Sequence, residues 1–158
     1  MSLDEALVTG EVLRDALGEE VHRAVEEREH LKSMDANRLL ERASLRERFN
    51  HRLASLEREL VRQLAGVQAM WGLDEVTVAA VAEHEPVKAA KLGALLDAIK
   101  ANAKQLSAVD ALNRQLAEKS LMVVRAYLAA VQPRASAYTR SGMQTVTAPQ
   151  AHTHSWRG

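Results

Sequence analysis

The sequence predicts an all-α protein: an antiparallel bundle of long helices, or coiled-coil hairpin, with a short connecting helix and a flexible C-terminal tail. Three observations predict it. Ala, Leu, Val, Glu and Arg are abundant while Gly and Pro number seven and three, and strong helix formers with few turn residues leave little room for sheets. Apolar residues recur at three- and four-residue intervals through most of the chain, the period of a helix with one buried face. From Gln132 onward that periodicity stops.

The first long segment runs from about Leu3 to Trp71. Leu13, Leu17, Val21, Ala24 and Leu31 mark one face, interrupted by Arg28. In "LKSMDANRLL" the side chains of Ser33, Asp35 and Asn37 compete for backbone hydrogen bonds and favour caps over helix interiors. A kink or restart is expected there. Beyond it the stripe Leu45, Phe49, Leu53, Leu56, Leu60, Leu64, Val67 and Trp71 follows an eleven-residue pattern, which predicts a nearly straight or slightly right-handed helix. Arg46, Arg48, Arg52, Glu57, Glu59 and Arg62 fall on its other faces. At 1.5 Å per residue such a helix is roughly 40 Å long and must lay its stripe on another helix.

A corner follows in "WGLDEVTVAAVAEHEPVKAAKL". Gly72 suits a helix stop, and Asp74 suits the N-cap of a short helix ending near Glu83. Pro86 suits the first turn of the next helix and disfavours helical geometry at Glu85 before it. From Pro86 to Val131 only Gly93 interrupts a helical stripe of Leu92, Leu95, Ile99, Leu106, Val109, Leu112 and Leu116. The body is therefore expected to be two long arms joined by a short helical corner and folded antiparallel.

The end of the last helix differs from the rest. In "SLMVVRAYLAAV", Ser120 to Val131, only Ser120 and Arg125 are polar, and a small bundle cannot bury a helix on every side. Leu121, Val123, Val124, Tyr127, Leu128 and Val131 call for cover. The alternatives are the N-terminal arm folding back, a second subunit or a client protein.

Two regions result, a helical domain over 1–131 and a tail over 132–158 that is disordered, or ordered only by a partner. The formal net charge is zero, but the tail holds Arg134, Arg140 and Arg157 with no acid, a charge of +3, against −3 for the rest. Three scattered arginines do not form the concentrated basic face that nucleic acid binding needs. There is no cysteine, which fits a reducing compartment. No apolar run approaches the roughly 18 residues of a membrane span, and "MSLDEALVTG" has no signal-peptide pattern. A cytoplasmic protein without membrane insertion is expected.

Motifs for catalysis are missing. Glu19 with His22, and Glu27 with His30, have the Glu-x-x-His spacing of di-metal bundles, but such centres draw the motifs and further glutamates from separate helices. Both lie on one charge-rich helix here, and solvated side chains are the simpler reading. A metalloprotein using His22 and His30 is the rival from the enzyme class. His152 and His154 do not make a closed metal site, and His51 and His84 stand alone, facing solvent. No phosphate-cradling glycine loop or nucleophile elbow is present. No metal, no cofactor and no enzymatic activity are expected. Phe49 and Trp71 lie on the helix stripe as core or helix-end anchors, Tyr127 is core or interface, and Tyr138 has no core to join.

The run "AVEEREHLKSMDANRLLERASLRERFNHRLASLEREL", Ala24 to Leu60, resembles the first half of the FlgN-type flagellar export chaperones: an acidic helical stretch, a short Asp-centred break and a long helix of basic residues and leucines. "VDALNRQLAEKSLMVVRAYLAAV" is similar to that family's Leu-Asn signature and closing apolar helix. "AYTRSG" resembles the Tyr-x-x-x-Gly segment that follows it. The likeness covers most of residues 15 to 142, in order. It departs at one place, where a second asparagine often stands three residues after the first and this chain has Leu116 after Asn113.

The resemblance implies a cytoplasmic chaperone of the flagellar type III export system. It implies clients among the hook–filament junction proteins, FlgK and FlgL, held by their C-terminal helical ends, and delivery to the export-gate protein FlhA. By position it makes the helix with Leu116, Val123, Val124, Tyr127, Leu128 and Val131 the client-binding face. It makes the segment with Tyr138, Arg140 and Gly142 the gate-docking element, Tyr138 foremost. The alternative is a scaffolding coiled coil in which the apolar helix end is a homodimer seam, though a chaperone of this kind can also be a homodimer.

Overall fold

Two residues, Met34 and Asp35, turn the chain back on itself. The computed structural model describes residues 2–131, and among these four helices follow one another: α1 Leu3–Ser33, α2 Ala36–Trp71, α3 Val78–His84 and α4 Pro86–Val131. Contacts divide the described residues into two units, the boundary falling between Met122 and Val123. The described part of the second is the C-terminal end of α4. The tail expected from Gln132 onward lies outside the described residues.

Local chemistry fixes the helix ends. Ser2 opens α1 with a capping box: its hydroxyl accepts from the N–H of Glu5 at 3.4 Å, and its own N–H donates to the Glu5 carboxylate at 3.1 Å. Such reciprocal bonds satisfy two otherwise unpaired donors. At the far end Met34 takes the left-handed conformation, φ 52°, and the N–H of Asp35 reaches back to the His30 carbonyl at 3.1 Å. Asp35 then caps α2, accepting from the N–H of Arg38 at 3.0 Å. The break falls where Ser33 and Asp35 predict it. It is a complete reversal, however, not a kink, so the first arm is itself a hairpin and the bundle has three long helices.

At the corner, Gly72 stops α2 with φ 64°. The cap of α3 is Thr77, whose hydroxyl accepts from the N–H of Ala80 at 3.1 Å, and not Asp74 as the sequence suggests. Asp74 instead stays in the loop, its carbonyl accepting from the Gln68 amide at 2.7 Å. Trp71 at the end of α2 stacks on His84 at the end of α3, with ring centroids 4.7 Å apart and planes 5° from parallel. His84 is exposed, as expected, but one face of its ring is occupied.

Cross-helix bonds set the directions. Asp4 pairs with Lys88 at 2.8 Å, the Arg14 carbonyl accepts from Asn102 at 3.1 Å, and the Ala24 carbonyl accepts from Asn113 at 2.6 Å. Both sequences rise together, so α1 and α4 run parallel, with α2 antiparallel to each. Gly10 lets α1 and α4 approach closely, because a Cβ there would lie 2.5 Å from Cδ2 of Leu95.

The buried lines repeat every seven residues. On α1 the line is Leu3, Ala6, Gly10, Leu13, Leu17, Glu20 and Ala24, all buried. On α2 it is Arg42, Arg46, Phe49, Leu53, Leu56, Leu60, Gln63 and Val67, all buried or half-buried. That is the heptad spacing of left-handed coils, and it replaces the eleven-residue reading of α2. Leu45 is exposed, while Arg46, expected on another face, is turned inward. Two apolar clusters fill the interior, one around Leu13, Leu17, Phe49 and Leu106 and one around Leu3, Val67, Val81 and Leu92.

Candidate functional site

The exposed end of α4 is useful only if the rest of that helix is held firmly, and charge holds it. Glu20 of α1 is wholly buried and meets two arginines of α2: Arg42, and Arg46 at 3.0 Å. Arg42 is also 3.1 Å from Glu27. Arg46 makes a two-pronged pair with Asp110 of α4. Burial works against the charged Arg46 guanidinium, but Asp110 and Glu20 more than offset it and hold its pKa above the usual value. Three helices are thus joined by alternating charges, an arrangement that favours one register and disfavours slipped ones. Arg46 also lies over the Phe49 ring, 5.6 Å from its centroid.

Asn113 continues the clamp. Its side-chain N–H donates to the Ala24 carbonyl, and its oxygen accepts from Arg28 at 3.3 Å. It is buried while its neighbour Leu112 is exposed, so the polar half of the Leu-Asn pair faces inward. Periodicity missed Glu20, Arg42, Arg46 and Asn113 because it sorts polar residues to the surface. One signal was present: Arg42 and Arg46 stand seven and three residues before Phe49, on its own line.

Leu116, the first of the expected client-binding residues, is half-buried in the larger unit. The others lie beyond Met122. Val123, Val124, Tyr127, Leu128 and Val131 are 61%, 37%, 68%, 53% and 55% exposed. At 3.6 residues per turn, Val124, Tyr127, Leu128 and Val131 have the i, i+3, i+4, i+7 spacing of a single helix face. Arg125 is the one charge in the stretch 123–131. Large exposed apolar stretches of this kind mark interaction sites. Tyr138, Arg140 and Gly142 lie outside the described residues.

The Glu-x-x-His spacings are engaged otherwise. Glu19 accepts from Arg23 at 3.1 Å and Glu27 pairs with Arg42, while His22 is exposed and His30 half-buried. Among the described residues no three metal-ligating side chains are gathered, and no helix is long and apolar enough to cross a membrane.

Among known families, the model of one described as FlgN protein matches residues 14–145. No curated protein and no solved structure matches significantly. The matched stretch is more than four-fifths of the chain. It runs from within α1 through all of α4 and takes in Tyr138, Arg140 and Gly142. On a match of that extent the chain belongs to the FlgN family of flagellar export chaperones, which bind hook-associated proteins.

Proposed function

We propose that this chaperone holds the C-terminal helical segments of the hook–filament junction proteins FlgK and FlgL in the cytoplasm and delivers them to the export-gate protein FlhA, without catalysing a reaction. One observation carries the reading: in a member of this family, the last turns of α4 present Val124, Tyr127, Leu128 and Val131 to solvent on one face. An amphipathic client helix can lay its own apolar face there. Each side chain fully covered contributes about 1.5–3 kcal/mol gross, so a handful suffices for reversible binding after ordering costs are subtracted.

Delivery falls to the tail. The family match extends beyond α4 to residue 145, and so includes Tyr138, Arg140 and Gly142, on an arm without acidic residues. In this reading the region 1–131 is the chaperone body and 132–158 the arm that meets the gate. Pull-down of purified FlgK and FlgL C-terminal segments tests the client half. The double variant Val123→Asp, Leu128→Asp should lose both segments; retention of either would remove the client face from this helix. A tight dimer with no affinity for the segments would favour a scaffolding homodimer instead.

A further inference from the structure

We propose that a cleft between α2 and α4, inside the bundle and apart from the client face, binds one carboxylate group on an aliphatic stem. Its volume is about 320 Å³, and α1, α2 and α4 all line it. The charged lining is uneven: Arg42, Arg46 and Arg114 stand against Glu27 and Asp110. Both acids are already engaged, Glu27 by Arg42 at 3.1 Å and Asp110 by Arg46. Glu20 meets Arg42 and Arg46 from outside the cleft. It is offset by Arg28, which donates to Asn113 of the cleft wall at 3.3 Å. Arg114 enters no ion pair among the described residues, so a guanidinium is left over.

Arg42 supplies a second observation. It is 7% exposed, and its Nη1 is buried with no hydrogen-bond partner, although Glu20 holds Nη2. A buried donor left unpaired is costly, and guanidinium groups take carboxylates through paired N–H bonds. Arg42 also borders a smaller cleft with Arg23 and Arg38, but those two are already paired with Glu19 and Glu41. The remaining lining of the larger cleft selects the ligand. Leu31, Leu39, Ala43 and Ala117 are aliphatic and suit a hydrocarbon stem. A doubly charged phosphate would exceed the single surplus cation and face Glu27 and Asp110, whereas one carboxylate balances it. The ligand class is therefore glutamate-like, whether a free aliphatic acid or an acidic side chain on a partner helix.

The test follows the arginine Nε–Hε signals of the full chain by NMR during titration with sodium butyrate, against sodium chloride at equal ionic strength. Butyrate should shift the Arg42, Arg46 and Arg114 signals to saturation, and chloride should not. Arg114→Gln should weaken butyrate at least about tenfold, as loss of a charge-assisted hydrogen bond does. Its thermal melt should be unchanged, because Arg114 is exposed. Arg114→Lys, which keeps the charge without the fork, should recover part of the affinity. An end-capped alanine-based helical peptide carrying one glutamate, compared with glutamine in its place, then identifies the source. Preference for glutamate supports an acidic side chain of a partner, and indifference beside a butyrate response supports a free acid. Shifts that follow ionic strength alone, or a butyrate response unchanged in Arg114→Gln, would overturn the proposal and leave the client reading untouched.

Discussion

Asn113 binds Ala24 across the interface of two parallel helices, its side-chain N–H 2.6 Å from the Ala24 carbonyl. That carbonyl sits in the middle of α1, where it also closes its own helical turn, so Asn113 uses its second lone pair. With Arg28 held on the same amide at 3.3 Å, one buried side chain locks α4 against α1. Asn113→Ala should lower stability by about 1–3 kcal/mol, the cost of deleting a buried polar partner, as read from the urea midpoint. A loss under about 0.5 kcal/mol, typical of a surface site, would contradict the clamp.

Glu20→Ala should be more damaging. It takes from Arg42 its buried partner and leaves it only the half-buried Glu27 at 3.1 Å, and removing one member of a buried pair costs about 3–5 kcal/mol. Replacing both members with apolar residues, Glu20→Leu with Arg42→Met, should recover most of that loss. The comparison is an unfolding double-mutant cycle; additive losses would show that the two residues do not depend on each other.

The two left-handed positions predict opposite responses. Met34 bears the steric cost that glycine avoids at φ 52°, so Met34→Gly should be neutral or stabilise by up to about 1 kcal/mol. Gly72 has open space where a Cβ would stand, and φ 64°, so Gly72→Ala should destabilise by about 1 kcal/mol through backbone strain alone. Thermal melts of the two variants should move in opposite directions or, for Met34→Gly, not at all.

Binding and stability should separate along α4. Val124→Asp and Leu128→Asp replace exposed side chains and should change unfolding free energy by no more than about 0.5 kcal/mol while abolishing client capture. Leu106→Asp, at a buried position, should unfold the protein. A large loss of stability in Leu128→Asp would mean that the helix end has a structural task.

Tyr138→Ala should leave client affinity intact and weaken binding to the cytoplasmic part of FlhA at least about tenfold, as an aromatic anchor does when truncated. Surface-immobilised FlhA with chaperone in solution gives the comparison directly. Equal gate affinity for parent and variant would remove Tyr138 from the docking role.

How far the sequence could be read depended on what each residue does with water. Leu13, Leu17, Val21, Ala24 and Leu31 stand on one helical line and are all buried, because apolar residues cannot escape that logic. The turn was legible at Asp35 for a similar reason: its carboxylate has to find a backbone donor. Whether the chain kinks or reverses there was not, since the reversal turns on Met34 taking a left-handed conformation that non-glycine residues rarely adopt. The seven-residue line of α2 was hidden by Arg42, Arg46 and Gln63; the two arginines are compensated by carboxylates of α1 and α4 that no local pattern contains, and Gln63 by Glu59 one turn earlier. Thr77 was missed for Asp74 because both can cap a helix, and only the Gln68 bond to the Asp74 carbonyl separates them. At the helix end the same rule showed only that the apolar residues of 121–131 call for cover, and left open whether the N-terminal arm, a second subunit or a client supplies it.

The parallel pairing of α1 with α4 has a consequence for how the protein is made. The hairpin of α1 and α2 joins neighbours in the chain, whereas the α1–α4 bonds span 84 to 89 residues, and loop closure over such distances is slow relative to local contacts. A ribosome releases α1 and α2 with time to zip together before Asn113 has been synthesised. The helix that ends in the apolar face is thus the last to be fastened, and its final turns emerge onto a scaffold already standing.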